Sequence, residues 1–224
     1  MEIVGPMFSF KIGNILIDSD IVFQWIIILV LAIGAYLLTR NLKGKLTKKE
    51  VVLEMLYDTV AGLVRGNIGE SYMSYVPFIG SLMIYLLILN LVGLLGIMPP
   101  TKDLNVAIGL ACISIVVIHF TAIKRNGVGG YLHGYTQPFV LMLPLNIMER
   151  IVFPVSLSLR LFGNMLAATL IIELLYDALN HVAWFAQLGI PIFAHAYFDV
   201  FDGTIQMIVF TMLTMVNIKM TAEH

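Results

Sequence analysis

An arginine stands where a lipid-embedded chain can least tolerate one. Between Ile151 and Ile172 the sole ionisable side chain is Arg160, and a charge at mid-membrane costs about 2.5–3.5 kcal/mol even on insertion scales. Intramembrane charges are functional by default, and the chemistry open to this one is electrostatic: it can hold an anion or guard an ion path. The structural alternatives are a pairing with a neighbouring helix, or a run that does not sit at membrane depth. On a helix, Asn164 lies one turn from Arg160 and Ser156 one turn the other way, while Glu149, eleven residues back, returns to within about 20° of the same face. Glu173, thirteen residues on, projects about 140° away, so it and Arg160 are expected to open onto different neighbours.

A second polar stripe lies near the carboxyl terminus. His195, Asp199, Asp202 and Gln206 are spaced by 4, 3 and 4 residues, which stacks them on one face of a regular α-helix, and Asn217 continues that face three turns later. Such a face can line a wet path; the structural alternative is a hydrogen-bond network to an adjacent helix. Asp199 and Asp202 would repel if both were ionised and close. A carboxyl that can be either protonated or charged is what a proton relay requires.

Other chemistries find no support. His195 with two Asp could form a ligand set, but catalytic zinc sites favour His-rich or HExxH spacing, which the chain lacks; neither a metal nor a cofactor is expected. The Gly-rich stretch Gly127–Gly134 reads as a loop and is no phosphate cradle, because no Gly-Lys-Ser/Thr follows. Ser156 and Ser158 have no His partner in a nucleophile motif, so proteolysis inside the membrane is unsupported. His119 and His181 at expected helix ends, and His133 in the Gly-rich loop, read as interfacial residues. Cys112, the one cysteine, reads as a small buried hydrophobe.

The elements that must position these residues are membrane helices. Of 224 residues, 59% are hydrophobic and 12% charged, against roughly 25% charged in an average soluble domain, and mean hydropathy is +0.93. A net charge of −1 offers no basic field for a polyanion, so nucleic acid is excluded as a partner. Apolar runs predict spans at 21–39, 76–98, 104–123, 140–178 and 190–219, each long enough to cross a bilayer. The whole chain, 1–224, reads as one all-α, polytopic integral membrane domain of about five to six helices, without internal repeats. Only Lys11 is basic ahead of Ile21, so the first run is expected to stay as a membrane helix rather than act as a signal peptide.

Arg40, Lys43, Lys45, Lys48, Lys49 and Arg65 lie between the first and second spans, and Lys124 and Arg125 follow the third. Because cytoplasmic loops retain Lys and Arg near helix ends, these loops are expected inside, the amino terminus and the Pro99–Asp103 turn outside, and the carboxyl terminus in the cytoplasm. Thr47-Lys48-Lys49-Glu50 reads as a capping box opening a surface helix over 47–65. Its Glu50, Glu54 and Asp58 share one face and its Val52, Leu53, Leu56, Val60 and Leu63 another, the pattern of an amphipathic helix on the membrane surface or against a partner.

The string Ser158-Leu159-Arg160-Leu161-Phe162-Gly163-Asn164-Met165 resembles the signature of subunit a of the F-type rotary ATP synthase. The likeness extends to Pro99-Pro100-Thr101-Lys102-Asp103-Leu104-Asn105, to Tyr135-Thr136-Gln137-Pro138 with Leu143-Pro144-Leu145, and to Gly203-Thr204-Ile205-Gln206 followed by Phe210 to Val216. These pieces cover most of the chain from Val76 onward in the family's order.

The resemblance implies a stator that conducts protons to a rotating ring of c subunits through two offset half-channels. It implies a long tilted helical hairpin, about 140–178 and 190–220, packed against the ring, with peripheral stalk b subunits and the rest of the synthase as further partners. Arg160 would hold the deprotonated ring carboxylate and block direct leakage; a guanidinium suits this, being always charged and unable to relay the proton. Asn164 and Gln206 match polar positions near that Arg, and Glu149 resembles a carboxylate of the cytoplasm-facing half-channel. Where many members have a Glu nine residues after the Arg, this chain has Thr169, which cannot titrate. The outer half-channel's group is therefore expected at Asp199 or Glu173, with Asp202 and His195 assisting. No organelle-type presequence is present, so a bacterial cell membrane is the expected location. A self-contained proton-coupled permease could also use Arg160 and the acidic stripe, but matching broken helices in two halves are absent. A membrane-embedded enzyme would need a nucleophile, metal or cofactor motif.

Overall fold

The structure, a computed structural model, describes residues 9–12, 15–40, 48–95, 99–136, 139–182 and 189–223. Its membrane part is all helical. Ahead of it the chain adds strands β1 (Ser9–Ile12) and β2 (Ile15–Asp18), paired antiparallel from Ser9↔Asp18 to Ile12↔Ile15. Among the described residues, five helical stretches are long and apolar enough to cross a membrane: Ile21–Thr39, Glu70–Leu94, Leu104–Gly134, Val140–Asn180 and Ile190–Glu223. The protein is thus a multi-pass membrane protein of the expected class.

Helix α1 (Ser19–Thr39) buries none of its side chains from Ile21 onward within the chain. Only its Ile27 side packs against the core, so most of its apolar surface is left uncovered by this chain, as lipid contact requires. Helix α2 (Lys48–Asn67) covers the amphipathic segment, and Thr47 lies outside the described residues. Its packed face is Val60, Ala61 and Val64, toward its carboxyl end. Val52 and Leu56, on the face expected against the membrane surface or a partner, are not covered by this chain, whose core reaches only the last turns of α2.

Helix α3 (Val76–Leu91) follows a 3-10 turn at Glu70–Tyr75 and ends in another at Val92–Leu95; the last residues of the expected span, 96–98, lie outside the described ones. A 3-10 turn at Pro100–Lys102 then leads into α4 (Leu104–Gly134), capped by the Asp103 carboxylate, which accepts from the Asn105 amide at 2.9 Å. The Gly-rich segment is not a loop. It is helical, set off from the rest of α4 by a break at Gly127.

Helix α5 (Leu143–Val182, 40 residues) is about 60 Å long at 1.5 Å per residue, well beyond a bilayer's hydrocarbon thickness. The last stretch is not one regular helix. It divides into α6 (Ile190–His195), a π-helical segment (Ala196–Asp202) and α7 (Gly203–Glu223).

The core has two parts. One, at the end of the bundle that carries α2, joins Val64, Tyr72, Ile79, Ile118, Met215 and Ile218. The other, toward the Pro100 turn, joins Leu86, Leu89, Ala107, Leu157, Leu161 and Phe210. Helices α3, α4, α5 and α7 thus form the packed unit that holds the polar residues in place. At the α2 end, the Arg125 guanidinium lies 3.8 Å over the Tyr72 ring and donates to the Ser71 carbonyl at 2.7 Å. Beside it, Asn126 donates to the Ala222 carbonyl at 3.1 Å, so α4 holds both the start of the second span and the end of the last.

Candidate functional site

Helix α5 presents the sequence's polar face in order along its length. At 1.5 Å per residue, Glu149 precedes Arg160 by about 16 Å and Glu173 follows it by about 20 Å. Arg160 is half-buried, and among the described residues its side chain has no hydrogen bond or ion pair. Around it, on the same face, Ser156, Gly163, Asn164 and Ala167 are all exposed. Small residues at positions i−4, i+3 and i+7 leave open space beside the guanidinium.

Asn164 and Gln206, separated by 42 residues in sequence, meet across α5 and α7: the Asn164 amide donates to Gln206 Oε1 at 2.8 Å. Gln206 is 3% exposed, and its Nε2 donor has no partner among the described residues. A buried amide donor left unmatched costs about 1–3 kcal/mol. It is held one turn from Arg160's position on α5 through Asn164.

Toward the Pro100 turn, a cavity of about 250 Å³ lies between α5, the α6/π segment and the end of α3. Its lining includes Gly93, Thr169, Glu173, Tyr176, His195 and Asp199. Asp199 is 3% exposed, and its Oδ2 is 2.7 Å from His195 Nδ1. Gly93 makes room for it: a Cβ at that position would lie 2.8 Å from the Asp199 carboxyl atoms. Thr169 turns its hydroxyl back to the Met165 carbonyl at 2.8 Å. Glu173 and Asp199, on different helices, thus share one cavity.

The four-residue stripe of the last helix does not survive intact. In the π-helical segment the i→i+5 bonding puts an extra residue into the turn, so Asp202, three residues past Asp199, falls short of Asp199's face. Asp202 is half-buried and does not line this cavity, whereas His195 and Asp199 remain together. Asn217, three turns on, faces α5 as Gln206 does. It lines a small cavity at the opposite end of the bundle with Glu149, Arg150, His119 and Phe153. The two cavities share no lining residue.

Reading the sequence missed the groups on α3. Asn90 is fully buried; its amide donates to the Gly203 carbonyl at 2.9 Å, and its Oδ1 accepts from Thr101 at 3.5 Å. This joins α3, the Pro100 turn and the start of α7 just after the π-helical segment. A lone Asn within an apolar span was the available signal. Of the remaining histidines, His133 is exposed, His119 lies beside the cavity at the α2 end, and the side chain of His181 lies outside what is described. Cys112 is exposed rather than buried, on the outward face of α4. Among the described residues no three His, Cys, Asp or Glu side chains gather as a metal site would need.

Comparison with known proteins gives these positions a context. Residues 21–219 match the family model described as ATP synthase A chain. The chain is 36% identical over 219 residues to ATP synthase subunit a of Moorella thermoacetica, covering 97% of each chain. It is 32% identical over 237 residues to the subunit a of Staphylococcus carnosus, covering all of this chain and 96% of that one. It is also 32% identical over 238 residues to the sodium ion specific ATP synthase subunit a of Propionigenium modestum, covering 98% of this chain and 77% of that one.

Proposed function

We propose that this chain, which belongs to the ATP synthase subunit a family, is the stator through which protons reach and leave a rotating c-ring by two half-channels that never join. As a component of that complex it performs no catalysis alone. The observation that carries the reading is Arg160: an intramembrane guanidinium, half-buried, without a partner among the described residues, on a face of small exposed side chains. A charge in that setting needs an anion from outside the chain. A carboxylate on the ring, approaching over Ser156, Gly163 and Ala167, supplies it.

In the cavity toward the Pro100 turn, Asp199 and Glu173 serve as the titrating groups that Thr169 cannot provide, with His195 hydrogen-bonded to Asp199. Asp202 assists from outside that cavity. Glu149, at the other end of α5, serves the second half-channel. Asn164 and Gln206 occupy the barrier between them, hydrogen-bonded to each other across α5 and α7. The separation of the two cavities supports a path in which the proton must ride the ring rather than pass directly.

The basic residues between the first two spans and at Lys124 and Arg125 set the α2 end in the cytoplasm, with the carboxyl terminus there and the amino terminus outside a bacterial cell membrane. The peripheral stalk b subunits complete the stator, and the uncovered apolar surface of α1 suits a transmembrane partner or lipid. Arg160→Ala in inverted membrane vesicles tests the reading. Loss of ATP-driven proton pumping in a complex that still assembles, with pumping in the wild type that needs no sodium, upholds it. Pumping that survives makes Arg160 structural and removes the basis of the proposal.

A further inference from the structure

Beyond the break at Gly127, whose φ is +67°, the second part of α4 turns back along the first. On a straight helix Tyr131 would stand about 18 Å along the axis from His119, at 1.5 Å per residue. Instead the Tyr131 hydroxyl lies 2.9 Å from His119 Nδ1, and 2.5 Å from the hydroxyl of Tyr135. Three protonatable groups whose ends lie 16 residues apart in the sequence form one hydrogen-bonded row.

The row lies at a partition. His119 and Arg150 line both the small cavity that holds Glu149 and Asn217 and a larger one, about 460 Å³, lined by Tyr131 and Tyr135. They are the two residues the cavities have in common. Arg150 is held by the Thr221 hydroxyl, and its guanidinium lies 5.9 Å from the Tyr135 ring centroid. A guanidinium cannot give up its proton, so of the two shared residues His119 is the one able to pass a proton across.

We propose that the cytoplasm-facing path does not end at Glu149 but continues through His119, Tyr131 and Tyr135 into the larger cavity. The inference rests on Glu149 belonging to that half-channel. The transfers balance along the row. As His119 Nε2 accepts a proton from the Glu149 side, its Nδ1 proton passes to the Tyr131 oxygen. The Tyr131 hydroxyl proton passes to Tyr135, and the Tyr135 proton passes to water. The imidazole and both phenols end neutral, and the ring and hydroxyls then turn back for the next proton. The charged and polar groups facing His119 are Arg150 and Glu149 from α5, Tyr131 from the folded-back stretch and Asn217 from α7, so the imidazole has both a source and an acceptor.

Proton flux through the assembled complex in vesicles tests this, with imidazole supplied on the cytoplasmic side. His119→Ala and Tyr131→Phe are each expected to lower flux by about a hundredfold or more, and imidazole is expected to restore the first. Unchanged flux in both variants, or a His119→Ala loss that imidazole leaves in place, overturns the relay and makes His119 an anchor for the folded-back helix. Should His119→Ala fail to assemble, His119→Gln replaces it, since Gln keeps a hydrogen bond to Tyr131 but transfers no proton. A fall in its flux supports the relay, and wild-type flux overturns it. Arg160→Ala and Glu149→Gln in the same membranes separate the two levels: if they leave flux intact, the half-channel reading itself has failed.

Discussion

Asp199 is seated against the backbone of Gly93, so closely that a Cβ on Gly93 would come within 2.8 Å of its carboxyl atoms. A glycine in the 3-10 turn that follows α3 and an aspartate in the π-helical segment are thus fitted to each other, and the carboxyl reaches a buried position beside His195. Where this carboxyl sits depends here on the absence of another side chain.

Gly93→Ala is therefore expected to push Asp199 out of place at an overpacking cost of about 1–3 kcal/mol. Pumping by the assembled complex should fall, while Gly109→Ala on α4, where an added Cβ meets nothing within 4 Å, should leave it at the wild-type level. Equal pumping in all three proteins would show that the fit is unimportant.

Asp199→Asn and Glu173→Gln share a cavity, so their effects should not be independent. Each alone is expected to slow ATP-driven pumping, and the pair to abolish it, with Asp199→Asn the more severe because Asp199 is buried and bonded to His195. If neither variant nor the pair alters pumping, the outer titrating group lies elsewhere.

Asn90→Leu would leave the Gly203 carbonyl and the Thr101 hydroxyl without their buried partner. The expected loss is about 1–3 kcal/mol, as for a polar group stranded by removal of its partner. Thermal denaturation of the detergent-solubilised complex should show a lower midpoint for this variant than for Asn105→Leu, whose side chain is exposed.

Gly127→Ala places a Cβ on a backbone at φ +67° and ψ 167°, a region essentially reserved for Gly, at a cost of about 1–3 kcal/mol. The break should weaken and Tyr131 should move away from His119. With His119→Cys and Tyr131→Cys, a bifunctional thiol reagent long enough to replace the Tyr–His contact is expected to crosslink the two sites readily in the parent chain and poorly when Gly127→Ala is added.

The apolar helices, the arginine within one of them and the helix that follows Thr47 were legible because they depend on composition and on periodicity within one segment. Arg160, Asn164 and Glu149 fall on one face by helical geometry alone. The final stripe failed at Asp202 because the counting assumed an α-helix throughout, and seven residues adopt π-helical bonding that changes the angle between neighbours. The Gly-rich segment was read as a loop because Gly disfavours helix, yet a single break at Gly127 sufficed and the rest remained helical.

By itself, then, the sequence determined that this is a polytopic membrane chain, which of its residues are charged where lipid should be, and which family it resembles. Tertiary structure alone decided that Asn164 meets Gln206, that Glu173 and Asp199 share a cavity which Glu149 does not reach, and that Tyr131 returns to His119. The physical reason is that hydropathy and helical phase are properties of one segment, whereas these meetings depend on how close two helices approach. That approach is set by a missing Cβ at Gly93, a positive φ at Gly127 and the packing of α7 between its neighbours.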